Sequence, residues 1–356
     1  GLPAPGSPAG RPGPAAHTCG GPVSLSARIA SLPPGDPLFN VPFADISDYL
    51  QDPDCLVWVD LLDPKPERLF ALAEELSFDP HAVEDALARG ERTKATRYAT
   101  HTFLTVYATH LATGPDPAVE AYESRLSTTR ISAFLLPGCL VTVRSRGPFD
   151  MDDVVTRWDA NPDLLKFGTA ALLHGLLDVV VDGQFDTIRD LDDAIEEIED
   201  GLFTDEAQPK QIQRAVYRLR KELVQLRRVV LPMREVVNAV MHFRAEHGIA
   251  PGLDGWYTDL YDHVLRATEW TESLRDMVTT VFETNLSLQD ARLNTVMKKL
   301  TGWAAIIAVP TAVTGWFGMN VPFPGSGEEM GVLAVAVIVF FSAAVLFVLF
   351  KRRDWL

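Results

Sequence analysis

The chain has 356 residues, of which 47% are hydrophobic, and its formal net charge is −16. This length accommodates a soluble domain with a full core and leaves residues for something more. The acidic balance is opposite to the basic surface that binds phosphate backbones, so we expect no nucleic-acid partner. The three cysteines are scattered without metal-ligand spacing, which is typical of a reducing compartment.

The N-terminal part begins with GLPAPGSPAGRPGPAA, which has almost no large apolar side chain. Such a segment cannot offset the entropy of ordering, so residues 1–22 are predicted to be a disordered tail. The first thirty residues contain no charged-then-apolar leader, and no cleaved signal peptide is expected. Between residues 23 and 167, β-like runs such as CLVWVDL and HTFLTVYATHL alternate with helical stretches. This alternation predicts an α/β domain. The cations around the two C-terminal apolar segments predict that this domain is cytosolic.

Long helices dominate the chain after residue 167. Residues 169–201 and 211–247 are each predicted as one helix, and the short connection predicts an antiparallel hairpin over 168–250. A dense acidic cluster lies at the tip of this hairpin: Asp190, Asp192, Asp193, Glu196, Glu197, Glu199 and Asp200. The cluster is either a solvated face or a tip that attracts cations. Residues 251–299 predict a stalk helix that continues without a break into the next apolar segment.

Two apolar segments near the C-terminus predict membrane-spanning helices. Residues 330–350 carry no charge, and 21 residues rising about 1.5 Å each span the hydrocarbon core of about 30 Å. Residues 300–317 form the partner span, 318–329 the external loop, and 351–356 a basic cytosolic tail. Cations flank the two spans on one side: Lys298, Lys299, Lys351, Arg352 and Arg353. We therefore expect a multi-pass protein of the inner (cytoplasmic) membrane, surrounded by lipid, with both termini in the cytoplasm.

One face of the first predicted span carries side chains that are small or weakly polar, with the exception of Met297. Steps of three and four residues along it reach Asn294, Met297, Thr301, Ala304, Ala308, Thr311, Gly315 and Gly318. A helix surrounded by lipid has no reason for this segregation, whereas a helix packed against copies of itself does. Close packing of small residues, as in a dimer, is one explanation. The hydroxyl groups along the stripe and the Gly-Met-Asn at its outer end favour a conduit.

The outer end of the stripe, at Gly318, Met319 and Asn320, offers neutral oxygen atoms. Mg²⁺ loses its hydration shell reluctantly, so a ring of amide and backbone oxygens suits the hydrated ion. We predict these three residues to form a selectivity filter. Glu328 and Glu329 form an external rim that either concentrates cations or simply keeps the loop in water.

These features together resemble the CorA-type divalent cation transporters, with the ZntB-like zinc transporters as close relatives. The Gly-Met-Asn at 318–320 lies between two terminal spans, after a stalk and an α/β domain, as in that family. The tail KRRDWL at 351–356, YDH at 261–263 and VED at 83–85 also resemble family segments. The resemblance runs from residue 23 to the end. It implies an N-terminal cytosolic α/β domain, long α-helices and two C-terminal transmembrane helices, assembled as a funnel-shaped homopentamer.

The resemblance also implies roles for individual residues. Those facing the pore would be Asn294, Met297, Ala308, Thr311, Gly315 and Asn320. Intracellular Mg²⁺ would bind between subunits, where Glu84 and Asp85 face Asp259, with His263 one turn further on. Asp182 is a further candidate carboxylate. Facing carboxylates repel without a cation and are drawn together by one, although each acid taken alone is also typical of a solvated helix start.

The expected function is therefore influx of a divalent cation, Mg²⁺ and also Co²⁺ or Ni²⁺, gated by intracellular Mg²⁺. Mg²⁺ would be both cargo and regulator, with no organic cofactor. No GxxxxGK[ST] phosphate-binding motif is present, and no enzymatic activity is expected. The loop sequence VPFPGSGEE and the small Ala308 depart from the family pattern, which leaves ion selectivity and the position of the gate open. A ZntB-like Zn²⁺ transporter and a membrane-anchored cytosolic sensor without transport are the alternatives.

Overall fold

The computed structural model describes most of the chain: residues 25–31, 38–39, 49–50, 52, 55–112, 124–202, 209–319, 324–325, 328–353 and 355. The predicted disordered tail, residues 1–22, and Asn320 lie outside the described residues. The chain divides into two compact units. Ala194–Arg220 together with Arg275–Leu356 form one unit, and the remaining described residues form the other.

A seven-stranded sheet forms the centre of the larger unit. Its strands are β1 (Leu25–Ser31), β2 (Leu38–Phe39), β3 (Cys55–Leu62), β4 (Lys94–Arg97), β5 (Thr102–Leu111), β6 (Leu126–Leu136) and β7 (Cys139–Arg144). The spatial order is β2-β1-β3-β7-β6-β5-β4. Strands β3 and β7 pair in parallel, and the other neighbours pair antiparallel. Between β6 and β7 the chain turns at Gly138, whose φ of 77° favours glycine.

Helices cover both faces of this sheet, which explains why the sequence of β3 is apolar at every position except Asp60. Val57, Val59 and Leu61 pack in a core with helices α1 (Pro66–Glu75) and α2 (Pro80–Leu87). Leu56 and Trp58 point to the opposite face and pack in a second core. A strand that is buried on both sides needs apolar residues at successive positions rather than at alternate ones.

The second core contains α3 (Met151–Ala160), the first part of α4 (Thr169–Leu202) and α6 (Met233–Glu246). Trp158 of α3 donates a hydrogen bond from Nε1 to the carbonyl of Leu172, 3.1 Å away. A Cβ atom at Gly175 would lie 2.5 Å from this Nε1, which is closer than Cβ atoms come to non-bonded atoms in proteins. Gly175 therefore lets α3 approach α4 closely.

The helices after residue 202 differ from the sequence prediction at one point. A single helix over 211–247 was predicted, and this is wrong: α5 (Pro209–Val230) ends before Leu231, and α6 begins at Met233. Pro232 has no backbone N–H and its ring clashes with the preceding turn, so the helix is interrupted there. The carbonyl of Pro232 then accepts hydrogen bonds from the amides of Glu235 and Val236 in the first turn of α6.

The last two helices are long. As predicted, the stalk continues without a break: α7 (Asp254–Phe317) has 64 residues and contains Pro310. Helix α8 (Glu329–Arg352) has 24 residues. Among the described helices, these two are long and apolar enough to cross a membrane, with mean hydropathies of 1.4 and 3.1 in their most apolar windows.

A buried histidine lies in the core between the sheet and α2. The ring of His101 lies between the rings of Tyr98, Phe78 and Phe134, at centroid distances of 5.1, 5.3 and 5.6 Å. Its Nδ1 is 2.9 Å from the hydroxyl of Thr100. Its Nε2 is buried and has no hydrogen-bond partner among the described residues. The surroundings favour the neutral imidazole.

Acidification is therefore expected to destabilise this unit partly through His101. Burial lowers the pKa of His101, and the charge of Arg97 lowers it further while Asp79 opposes the shift. Because the unfolded chain then binds the proton more readily, the stabilisation is complete above the unfolded pKa of about 6.5 and is lost as the pH falls below it. The midpoint of thermal unfolding should decrease less between pH 7.5 and 5.5 in His101→Phe than in the wild type. The exposed His110→Gln serves as the control, and an unchanged pH dependence in His101→Phe would contradict the prediction.

Candidate functional site

Two carboxylates and one imidazole come together in the larger unit. Asp178 and Asp182 lie one turn apart on α4, and this spacing places both side chains on one face of the helix. His263 reaches them from the first part of α7. The ligand atoms of all three residues lie within 4.8 Å of one another. We call Asp178, Asp182 and His263 the acidic-histidine cluster.

An arginine of α3 bridges the two carboxylates of the cluster. Nη1 of Arg157 donates a hydrogen bond to Oδ2 of Asp178, and Nη2 donates one to Oδ2 of Asp182 at 2.6 Å. Both bonds are charge-assisted, the stronger class of hydrogen bond. The guanidinium therefore holds two like charges together within the same chain.

Burial shifts the pKa values of Asp178 and of the nearby His174 in opposite directions. Burial raises the pKa of Asp178; Arg157 opposes the rise and Asp182 adds to it. Burial lowers the pKa of His174, although the charge of Asp178 works against this. Nε2 of His174 donates to the carbonyl of Trp256 across 3.1 Å. Asp178 is thus a half-buried carboxylate whose charge needs a neighbouring cation.

The donors of the cluster fit a divalent cation. Nδ1 of His263 is buried and has no hydrogen-bond partner among the described residues, so it is available as a ligand. Mg²⁺ binds oxygen atoms at about 2.1 Å and commonly uses only one or two carboxylates, keeping its other waters. Donors around one such ion lie about 3 to 4.2 Å apart, so rotations of the side chains that shorten the longer separations would let all three donors reach it. The imidazole also suits Co²⁺, Ni²⁺ and Zn²⁺.

The structure places the other predicted regulatory residues as follows. Asp259 lies one turn before His263 on α7, and its Oδ2 is 3.9 Å from Nε2 of that histidine. Asp85, on α2, is paired with Nζ of Lys94 at 2.7 Å. Glu84 is exposed. Of the predicted regulatory residues, Asp182 and His263 are therefore part of the acidic-histidine cluster.

The sequence analysis missed Asp178 and Arg157. A signal for Asp178 was present, since LLDVVVDG places two acids four residues apart in an otherwise apolar stretch. An acid inside an apolar helical run is rarely buried without a partner. Arg157 left no comparable signal, because it lies 21 residues before Asp178 and on a different helix.

An open cleft of about 500 Å³ adjoins the cluster. Arg157 and Asp182 line one part of it, and Asp150, Asp153 and Asp186 supply further carboxylates. Asp150 caps the start of α3 by accepting a hydrogen bond from the amide of Asp152. The cleft is therefore strongly acidic and lies beside the arginine bridge.

The predicted conduit residues lie in the other unit, on α7. All seven members of the stripe within the helix are exposed in the single chain: Asn294, Met297, Thr301, Ala304, Ala308, Thr311 and Gly315. Most of their neighbours on this helix are exposed as well, so exposure does not distinguish the stripe. The hydroxyl of Thr311 donates a hydrogen bond to the carbonyl of Ile307 at 2.7 Å. This polar group therefore has a hydrogen-bond partner within the apolar segment.

The end of α7 is closed by a glycine turn. The amide of Gly318 donates to the carbonyl of Thr314, and a Cβ atom at Gly318 would lie only 3.0 Å from that oxygen. Met319 follows and is exposed. Beyond the gap in the described residues, Glu328 and Glu329 are exposed at the start of α8.

A comparison with known protein families identifies this architecture. A family model described as "CorA-like Mg²⁺ transporter protein" matches residues 54–352, which is well over half of the chain. The chain belongs to the CorA-like Mg²⁺ transporter family. The match begins just before β3 and ends with α8, so it includes both apolar helices and the turn at Gly318 and Met319.

Relatives of this CorA-family chain include proteins named CorA and proteins named ZntB. The cobalt/magnesium transport protein CorA of Thermotoga maritima is 25% identical over 294 residues, covering 80% of this chain and 79% of the relative. The zinc transport protein ZntB of Cronobacter sakazakii is 26% identical over 324 residues, covering 87% and 90%. The percentage identities to these two relatives are nearly equal, so identity alone does not distinguish Mg²⁺ from Zn²⁺ as the transported ion.

The solved structure of the CorA magnesium transporter from Methanocaldococcus jannaschii is similar to this CorA-family chain. The TM-score is 0.71 at 21% identity, and the match covers 93% of this chain and 98% of the other. This likeness confirms the predicted CorA-like fold, with an N-terminal α/β domain, long helices and two C-terminal apolar helices. The family is one of transporters, as the resemblance implied.

Proposed function

We propose that this CorA-family chain forms a homopentameric channel through which Mg²⁺ enters the cytoplasm. The apolar parts of α7 and α8 cross the cytoplasmic membrane, and both termini lie inside because the flanking cations Lys298, Lys299 and Lys351 to Arg353 lie on that side. The ion gradient and the membrane potential drive the flux, since each charge moving across 100 mV gains about 2.3 kcal/mol.

The pore is lined by the first span in this proposal. Five copies of α7 turn the small-residue stripe towards a shared axis, so that Thr311 and Gly315 face water. Gly318, Met319 and Asn320 form the outer filter, where neutral oxygens hold a hydrated ion without the tight grip of carboxylates. Glu328 and Glu329 raise the local cation concentration at the outer rim.

Cytosolic divalent cations close the channel by binding at the acidic-histidine cluster. Asp178, Asp182 and His263 supply two oxygens and one nitrogen. Asp259, which is exposed next to His263, contributes to the same region from its free side. Glu84 and Asp85 of a neighbouring subunit face Asp259, so that a bound cation removes the repulsion between subunits.

One observation carries the proposal: the family match runs from residue 54 to residue 352 and so includes β3 to β7, the stalk and both apolar helices. A sensor that used the spans only as an anchor would have no need for the small-residue stripe or for Gly-Met-Asn at its end. Purified full-length protein in liposomes should therefore take up Mg²⁺, measured with an enclosed fluorescent indicator. If these liposomes take up no more Mg²⁺ than protein-free liposomes, the result would favour the anchored sensor.

Removing charge from the cluster should relieve inhibition by internal Mg²⁺. In Asp178→Asn combined with Asp182→Asn, the Mg²⁺ concentration that halves uptake should rise at least about tenfold, which corresponds to about 1.4 kcal/mol of lost binding. Uptake without internal Mg²⁺ should be preserved. Asp163→Asn, an exposed acid between α3 and α4, is the matched control and should behave like the wild type. Equal inhibition of the double variant and the wild type would remove the cluster from the regulation.

A second candidate is transport of Zn²⁺, because a relative named ZntB is 26% identical to this chain and one named CorA is 25% identical, and because His263 offers an imidazole to a cation in the cluster. Imidazole is a common zinc ligand, whereas Mg²⁺ prefers oxygen. Uptake of Mg²⁺, Co²⁺, Ni²⁺ and Zn²⁺ measured side by side in the same liposomes separates the two. A preference for Zn²⁺ over Mg²⁺ of about tenfold or more would favour this candidate.

A further inference from the structure

We propose that Arg157 is an internal counter-ion that a divalent cation must displace, and that it thereby keeps monovalent cations from occupying the regulatory site. This inference rests on the proposed regulatory role of the acidic-histidine cluster. It concerns a residue of α3 that contributes no metal ligand itself. Its role is to compete with the metal.

The geometry places the guanidinium where the cation would bind. Arg157 bonds to Oδ2 of both Asp178 and Asp182, the two carboxylates that would ligate the ion. A cation between them would lie next to the positive guanidinium and would meet strong repulsion at this short distance. The two cannot occupy the site together, so binding is an exchange.

The arginine has somewhere to go when it is displaced. Its side chain is 39% exposed, so it is not locked in the core. It lines the cleft of about 500 Å³, where Asp150, Asp153 and Asp186 provide other carboxylates. A long, flexible side chain can move its charge from the cluster into this acidic cleft without leaving negative surroundings.

The charges then determine which cations succeed. A monovalent ion that replaces the guanidinium leaves the net charge of the site unchanged and breaks two charge-assisted hydrogen bonds, so the exchange is unfavourable. A divalent ion adds one further positive charge between the two aspartates, which offsets the lost bonds. The arginine therefore lowers the affinity for every cation by the same factor, and only a divalent ion still binds strongly enough to displace it.

The test measures Mg²⁺ binding to the full-length protein in detergent by isothermal titration calorimetry, without any flux. Arg157→Gln should bind Mg²⁺ about tenfold more tightly than the wild type at about 0.01 M KCl. At about 0.3 M KCl the variant should lose more of its affinity than the wild type, because K⁺ now enters the vacated position. Arg157→Lys keeps the charge but not the two-pronged geometry and should fall between them.

Arg146→Gln is the matched control, since it removes the same charge from the same unit at an exposed pair with Asp63 and should leave Mg²⁺ affinity within about twofold of the wild type. If Arg157→Gln binds Mg²⁺ no more tightly than Arg146→Gln, the arginine holds the carboxylates in place instead, and the exchange is refuted. If Arg157→Gln does not fold, Arg157→Lys decides by the same comparison. Tighter binding in Arg157→Gln with no uptake in liposomes would support the exchange while overturning the transport proposal.

Discussion

Replacing Asn320 by alanine is expected to reduce Mg²⁺ uptake into liposomes by about a hundredfold. In the proposed pentamer, the asparagine amides hydrogen-bond to the water shell of the entering ion. Losing two such bonds of about 1.5 kcal/mol each raises the barrier by about 3 kcal/mol, which corresponds to this factor in rate. Uptake should be measured at equal protein density, with Mg²⁺ outside only.

The controls separate a pore defect from a folding defect. Asn320→Gln keeps the amide and should retain part of the flux, while Asn294→Ala, at the cytosolic end of the stripe, should have a smaller effect. Each variant should elute from a sizing column in detergent at the position of the wild type. Full uptake by Asn320→Ala would contradict a filter built from this side chain.

The two long apolar helices could be predicted from the sequence more fully than the residues that would line a pore. An uncharged run such as residues 330–350 and a proline-free stalk are local features, and the structure has helices in both places. The stripe from Asn294 to Gly315 is different, because its surroundings depend on other copies of the chain. A lining face is defined by its neighbours, and sequence spacing indicates only that such a face exists.

The candidate site was predicted in part for a similar reason. Asp182 and His263 were expected from a resemblance to a family, and the structure brings them within 4.8 Å of each other. Asp178 lies one turn from Asp182 and was accessible to helical periodicity. Arg157 was not, since its position follows from the close packing of α3 against α4 at Gly175, which is a tertiary contact.

In the fold, too, features set by neighbouring residues could be read from the sequence, whereas features set by distant residues could not. The apolar strand β3 and the helix-breaking Pro232 are readable in the sequence, although the break at Pro232 was not predicted. The neighbouring positions of β3 and β7, which are about 80 residues apart, follow from packing. Their pairing creates a buried polar network that no periodicity indicates.

This network connects the sheet with the helix that carries Arg157. Asp60 of β3 is 1% exposed and accepts hydrogen bonds from Thr142 at 2.7 Å and from Nε of Arg144 at 2.8 Å. Nε1 of Trp58 donates to the Thr142 hydroxyl. Nη1 of Arg144 also donates to the carbonyl of Phe149, directly before the capping residue of α3. A single arginine thus neutralises a buried charge and anchors the start of α3.

Arg144→Ala is expected to destabilise the larger unit by about 3 to 5 kcal/mol, because it leaves the carboxylate of Asp60 buried without a cation. The midpoint of thermal unfolding, followed by tryptophan fluorescence in detergent, should fall by about 10 °C for a unit of this size. Arg146→Ala is the matched control, since that arginine pairs with Asp63 at the surface, where both side chains are more than half exposed. Its midpoint should change by about 2 °C or less. Equal shifts in the two variants would contradict a special role of the buried pair.

The pH dependence of Arg144→Ala provides an independent check of the mechanism. Burial already raises the pKa of Asp60 against the opposing effect of Arg144, and removing the arginine should raise that pKa further. A folded-state pKa above the unfolded value of about 3.9 means that the folded state binds the proton more readily, so the variant loses stability as the pH rises through that range. The deficit relative to the wild type should therefore be smaller at pH 5 than at pH 7.5. A deficit that is independent of pH would indicate lost packing around Phe149 rather than an unpaired carboxylate, because packing does not respond to the proton.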